Sequence, residues 1–202
     1  MIAALYVQED GCYIGLNGVD AWPESRDARN YAGPWPVVAH PPCARWCRLA
    51  GLVEKRHGHK KGDDGGCFES ALRSVRAYGG ILEHPAYSDA FVAYGLPIPS
   101  AGGWQRGTCG GWVCQVDQGH FGHRARKPTW LYAFGVGDPP SLPWGPSNEN
   151  SACVSLGFRD TWKRRAGGEV QQMSKRQRSA TPIAFRDLLL SIAMSAHHRA
   201  AA

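Results

Sequence analysis

Apolar residues fall into short runs through the first two thirds of the chain, interrupted by one helical period, and into a helical stripe at its end. The run IAALYV at 2–7 ends in the polar turn QEDG and predicts a buried strand. PVVAH at 36–40 predicts the next, stopped by Pro41 and Pro42. Residues 8–35 between them read as loop with an irregular helix around 24–31, and no further strand fits before PVVAH. From Asp64 the period becomes helical, with Phe68, Ala71, Leu72, Val75 and Tyr78 on one face and Gly79-Gly80 as the stop. ILEH at 81–84 predicts a strand ended by Pro85, and Ser88 is a candidate cap for a short helix through Tyr94. WVCQVDQ at 112–118 and TWLYAF at 129–134 predict a hairpin around the basic loop GHFGHRARKP. Residues 136–180 are polar and Pro-rich and read as irregular. A closing helix over 181–196 follows, with Thr181 as N-cap, Pro182 at its first position and Phe185, Leu188, Leu189 and Ile192 as its apolar stripe. Strands alternating with helices predict a single compact three-layer α/β domain over 1–202.

Composition agrees with a globular chain: of 202 residues, 43% are hydrophobic and 20% charged. No apolar run approaches the roughly 20 residues that span a bilayer, and the N-terminal residues carry no basic, apolar leader pattern. Seven cysteines are an odd number in a chain large enough to fold without staples, so free thiols in a cytoplasm (the host's, for a viral protein) are expected. The charge of +6 is concentrated in HRARK at 123–127, KRR at 163–165 and KRQR at 175–178. Such clusters fit a polyanionic partner or, more plainly, a solvated basic face.

Three segments carry candidate chemistry. HPPCARW at 40–46 delivers Cys43 from a strand end through a rigid Pro-Pro turn, with Arg45 and His40 near enough in sequence to favour thiolate; a buried structural cysteine is the alternative. LEHP at 82–85 brings Glu83 and His84 to the end of the following strand, where a carboxyl group can meet a ring nitrogen or simply form a salt bridge. In QGHFGHRARKPTWLY at 118–132, Arg124, Arg126 and Lys127 form a dense cationic cluster suited to phosphate or base-edge contacts, or to a solvated hairpin tip.

Together, PPC at 41–43, EHP at 83–85 and HRAR at 123–126 followed by TWLYAF resemble the catalytic half of the DNA cytosine-5 methyltransferases. The chain is also similar to small phage proteins that carry HPPC, EHP and GHRARK together. The resemblance covers about residues 36–135 and the last helix, whose SATPIAFRDLLLSIA is similar to the family's closing motif. It implies a truncated Rossmann-like methyltransferase core acting at C5 of a pyrimidine in DNA. Cys43 would attack C6, Glu83 would contact the ring near N3 and Arg126 would help hold the base. His40, Pro42, Arg45, His84, Gln118, His123, Arg124 and Lys127 would line the substrate. The family's Phe-x-Gly-x-Gly cofactor loop has no counterpart in YVQEDGCYIGL, so the methyl or other one-carbon group would come from S-adenosylmethionine or another donor.

Two other readings remain open. Cys47, His57, His59 and Cys67, or separately Cys109, Cys114, His120 and His123, have ligand types suited to zinc or iron, giving a metal-dependent DNA- or nucleotide-modifying enzyme, although no CxxC pair is present. Trp104, Trp112 and Trp130 with the basic residues fit a non-catalytic DNA-binding or anti-defence protein, or core packing.

Overall fold

A computed structural model describes residues 1–47, 49–100, 102–147, 152–153 and 171–196. The elements in chain order are β1 (Ile2–Val7), β2 (Val19–Pro23), 3-10 turns at Glu24–Arg26 and Ala28–Asn30, β3 (Val37–Ala39), α1 (Ala50–His57) and α2 (Cys67–Tyr78). Then follow β4 (Gly80–Pro85), α3 (Asp89–Ala93), β5 (Gln105–Arg106), β6 (Trp112–Asp117), a 3-10 turn at Gln118–Phe121 and β7 (Pro128–Phe134). The remainder is β8 (Ala152–Cys153), β9 (Gln171–Gln172), α4 (Lys175–Ser179) and α5 (Ile183–Met194).

Strands β1 to β7 form one sheet in the order β2-β1-β3-β4-β7-β6-β5. The first four are mutually parallel, β7 runs antiparallel to β4, and β6 antiparallel to β7. Side chains alternate across this sheet with the two-residue period of a strand. Ala3, Leu5, Val37, Ala39, Leu82, Trp130 and Tyr132 pack under Phe68, Ala71, Leu72 and Val75 of α2. Ala4, Val38, Ile81, Cys114, Val116, Leu131 and Ala133 pack under Phe185, Leu189, Ile192 and Ala193 of α5. The result is the expected three-layer α/β arrangement, with a helix layer on each face.

One contact fixes the centre of the sheet. Gly80 adopts φ +124°, and a Cβ there would lie 2.0 Å from the Val37 carbonyl oxygen, so only glycine lets β4 lie against β3.

Several expectations are corrected. A parallel strand, β2, does precede PVVAH; it sits at the sheet edge, half-buried, and its Asp20 and terminal Pro23 hide it from a search for apolar runs. The helix around 24–31 is two 3-10 turns, divided by left-handed Asp27, whose carboxylate accepts from the Arg29 amide. Residues 50–57, to which the sequence assigned no element, form α1, which ends on Lys55-Arg56-His57 and left-handed Gly58. The closing helix starts one residue later than expected: Pro182 occupies the cap and Thr181 does not cap it. Within 136–180, β8 and β9 pair in parallel and α4 is opened by a capping box of Ser174 and Gln177. The KRR cluster at 163–165 lies outside the described residues. Among the described residues, no helix is long and apolar enough to cross a membrane.

Candidate active site

Strand order reverses between β1 and β3: from β1 the chain moves to the β2 edge, and from β3 it moves the other way to β4. The carboxyl ends of strands at such a point form a crevice, the usual ligand position of open α/β sheets. Here the ends deliver His40 from β3 and Glu83 from β4, and the turns after β1 return Tyr13 over both.

These side chains form a continuous buried chain of hydrogen bonds. Glu83 Oε2 lies 3.0 Å from His40 Nδ1, and His40 Nε2 lies 3.0 Å from the Tyr13 hydroxyl. On its other oxygen, Glu83 accepts from Gln118 Nε2 at 3.0 Å, and the same amide group donates to Thr129 Oγ1 at 3.0 Å. Burial by itself raises the Glu83 carboxyl, but the His40 hydrogen bond and the positive field of Lys127 outweigh it and hold the group at about 2. Glu83 is therefore ionised and accepts at both oxygens. With His40 neutral, Nδ1 donates to Glu83 and Nε2 accepts from the Tyr13 hydroxyl. Gln118 Oε1 is buried and has no hydrogen-bond partner among the described residues.

Sheet alternation separates the two residues of the EHP motif. Glu83 follows Ile81 onto the α5 face, whereas His84 follows Leu82 onto the α2 face, where its ring meets Phe68 edge-on at 5.2 Å. His84 is fully buried. Burial lowers its ring to about 4 and keeps it neutral, against the opposing pull of Glu83. The Pro42 carbonyl lies close enough to favour a proton on that ring, yet neither ring nitrogen meets hydrogen-bond geometry.

Cys43 sits in the turn that leaves β3, its carbonyl accepting from the Trp46 and Cys47 amides. Burial first, then the negative charge of Glu83, push its thiol above the ordinary range, while Lys127 pulls it down. The expectation that Arg45 and His40 favour thiolate is thus corrected: the cation acting on Cys43 is Lys127, brought from the start of β7. Pro42 is exposed and Arg45 half-buried.

The basic loop is held by Asp117. Its carboxylate accepts from the backbone amides of Gly119, Lys127 and Ser147, and lies 3.3 Å from Arg126 Nε. Arg126 therefore lies along the loop, more than half exposed, on a carboxylate of its own hairpin. His123 is buried, its Nδ1 2.7 Å from the Ala125 carbonyl, and shapes the loop from inside. Arg124 is exposed. The structure brings His40, Cys43, Glu83, Gln118 and Lys127 together at the carboxyl ends of the central strands β3 and β4 and leaves His84 on the opposite face. Tyr13, Asp117 and Thr129 were missed by sequence reasoning; for Tyr13 the only signal was an aromatic residue in an otherwise polar turn after a buried strand.

The metal alternatives gain no cluster: His57 and His59 have rings 6.4 Å apart, but among the described residues no three His, Cys, Asp or Glu side chains converge as ligands. Cys114 lies in the sheet core and His120 faces the Gly145 carbonyl. S-adenosylmethionine also fits poorly at the strand crevice. After β1 the chain enters turns rather than a helix, Gly15 and Gly18 face open space rather than a close approach, and the buried Tyr13 ring packs against His40 at the strand ends.

Comparison with protein-family models, with curated proteins and with solved structures finds no match to this chain.

Proposed function

We propose that the chain modifies a pyrimidine in DNA, cytosine by preference, at C5 through a covalent bond between Cys43 Sγ and C6 of the base. The observation that carries this reading is a thiol within the electrostatic reach of both an ionised carboxylate, Glu83, and a cation, Lys127, at the ends of adjacent strands. Sulfur addition at C6 makes N3 more basic and C5 nucleophilic. Glu83, kept ionised, would accept a hydrogen bond from N3 once N3 has taken a proton from solvent, with His40 hydrogen-bonded behind the carboxylate to orient it. Lys127 would favour the thiolate as the base displaces water. The one-carbon group transferred at C5 would come from a donor other than one seated where Tyr13 packs.

The adduct can be tested without any donor. Once sulfur is on C6, C5 can take a deuteron from heavy water; loss of the original C5 proton to solvent and expulsion of the thiolate then restore the base. Incubating the protein with cytosine-containing DNA in heavy water should place deuterium at C5, read by mass analysis of the nucleosides. Cys43→Ser should abolish the exchange and Cys47→Ser should retain it. Exchange by Cys43→Ser overturns the adduct.

The raised Cys43 thiol favours one second reading, a DNA-binding protein whose cysteine does no chemistry. DNA binding with no exchange at any pH between 7 and 10 selects it.

A further inference from the structure

Between Cys47 and Gly62 the chain makes an excursion, containing α1, that leaves the Cys43 turn and returns to it. The Gly62 amide donates to the Arg45 carbonyl at 2.9 Å, and Trp46 Nε1 donates to Asp64 Oδ2 at 2.8 Å. Lys61 pairs with Asp89, whose own amide donates to the Trp46 carbonyl. Residues 55–61 read KRHGHKK without an acidic residue, and all are exposed. Among the described residues, Lys55, Arg56 and Lys60 have no carboxylate partner. Leu49 and Leu52, 63% and 46% exposed, stand on the same excursion.

We propose that this excursion grips a DNA strand, Lys55, Arg56 and Lys60 contacting its phosphates while Leu49 and Leu52 pack on bases beside the one that reaches Cys43. This rests on the reading above and adds the surface that would hold the polymer. Charge complementarity favours it: the excursion leaves the Cys43 turn and is tied back to it, and the positive field of Lys127 also reaches Cys43, so a strand lying at Cys43 meets cations from both segments. A base attacked at C6 must leave its stack, and exposed apolar side chains beside the site can cover the neighbouring bases that it exposes. An anionic lipid surface would also attract the cations, but an eight-residue helix with one exposed leucine and a second at its N-cap offers little apolar area for a bilayer.

The test compares DNA affinity across a salt series, by anisotropy of labelled single-stranded and duplex oligonucleotides. Combining Lys55→Gln, Arg56→Gln and Lys60→Gln should weaken binding about tenfold or more near 0.1 M salt and flatten the salt slope by about 0.9 for each duplex phosphate that is no longer neutralised. Leu49→Ser with Leu52→Ser should weaken binding without changing the slope. Arg73→Gln, on the outer side of α2, should change neither. Lys60→Gln alone, outside the helix, keeps the test readable if the triple variant folds poorly. Unaltered affinity and slope in the triple variant overturn the inference. So does loss of binding to phosphatidylserine vesicles with DNA binding intact. Repeating the titration with Cys43→Ser separates the two proposals. Gripping without C5 exchange leaves the surface standing and the chemistry fallen, and exchange with an unaltered grip does the reverse.

Discussion

His40 Nδ1 and Glu83 Oε2 meet at 3.0 Å across the carboxyl ends of β3 and β4, both side chains nearly enclosed. Neighbouring residues Ala39 and Leu82 are register partners, so the contact follows from the pairing of the two strands one step beyond their last bridge. The same carboxylate accepts from Gln118, which makes Glu83 the link between the parallel half of the sheet and the hairpin.

Glu83→Ala should therefore destabilise the protein by about 3 kcal/mol, because it leaves the His40 and Gln118 donors buried without an acceptor. Glu83→Gln should cost less, since the amide oxygen still accepts from His40. Chemical denaturation at pH 7 measures both. The carboxyl is held near 2, below its unfolded value of 4.5, so its contribution is present above 4.5 and is lost as pH falls towards 2.

A second pH dependence belongs to His84. Its ring is lowered to about 4 from 6.5, so between those values the unfolded chain binds the proton and the folded chain does not. Stability should fall as pH drops from 6.5 to 4, and Tm measured across that window should show it. In His84→Gln the slope over this window should shrink, even if the variant is less stable throughout. An unchanged slope would mean that the ring takes up its proton in the fold.

Alkylation of Cys43 should be slow at pH 7 and keep accelerating past the ordinary thiol range, followed by mass mapping of its peptide under limiting iodoacetamide. Glu83→Gln removes a negative charge and should speed it, whereas Lys127→Ala removes the opposing cation and should slow it. Slower alkylation in Glu83→Gln would contradict this account.

Gly80→Ala should be among the most damaging single changes, on the order of 4 kcal/mol, since its methyl group meets the Val37 backbone and no side-chain movement relieves it. The β3–β4 register that aligns His40 with Glu83 should loosen with it. A thermal melt together with the His40 ring signals in NMR reads both effects.

Asp117→Asn should cost about 2 kcal/mol, because one amide oxygen cannot satisfy three backbone donors and Arg126. The weakened anchor should show as faster amide exchange at Gly119, Lys127 and Ser147.

The sequence by itself determined the buried strands, the α2 and α5 faces and the hairpin, because fully buried elements need apolar residues at fixed periods. IAALYV, VVA, the Phe68 to Val75 face and TWLYAF meet that need so strongly that little else suits them. It also brought Cys43, Glu83 and the basic loop forward, since each lies at or next to a strand end marked by a proline. Edge strand β2 and helix α1 were not legible, because a half-exposed element is under weak apolar selection. What only the tertiary structure decided is which groups face one another. Glu83 and His84 are adjacent in sequence and lie on opposite faces, while Tyr13, His40, Glu83 and Gln118 span 105 positions and share one network. Strand order and register set those distances, and they arise from packing between elements far apart along the chain, where no local pattern records them.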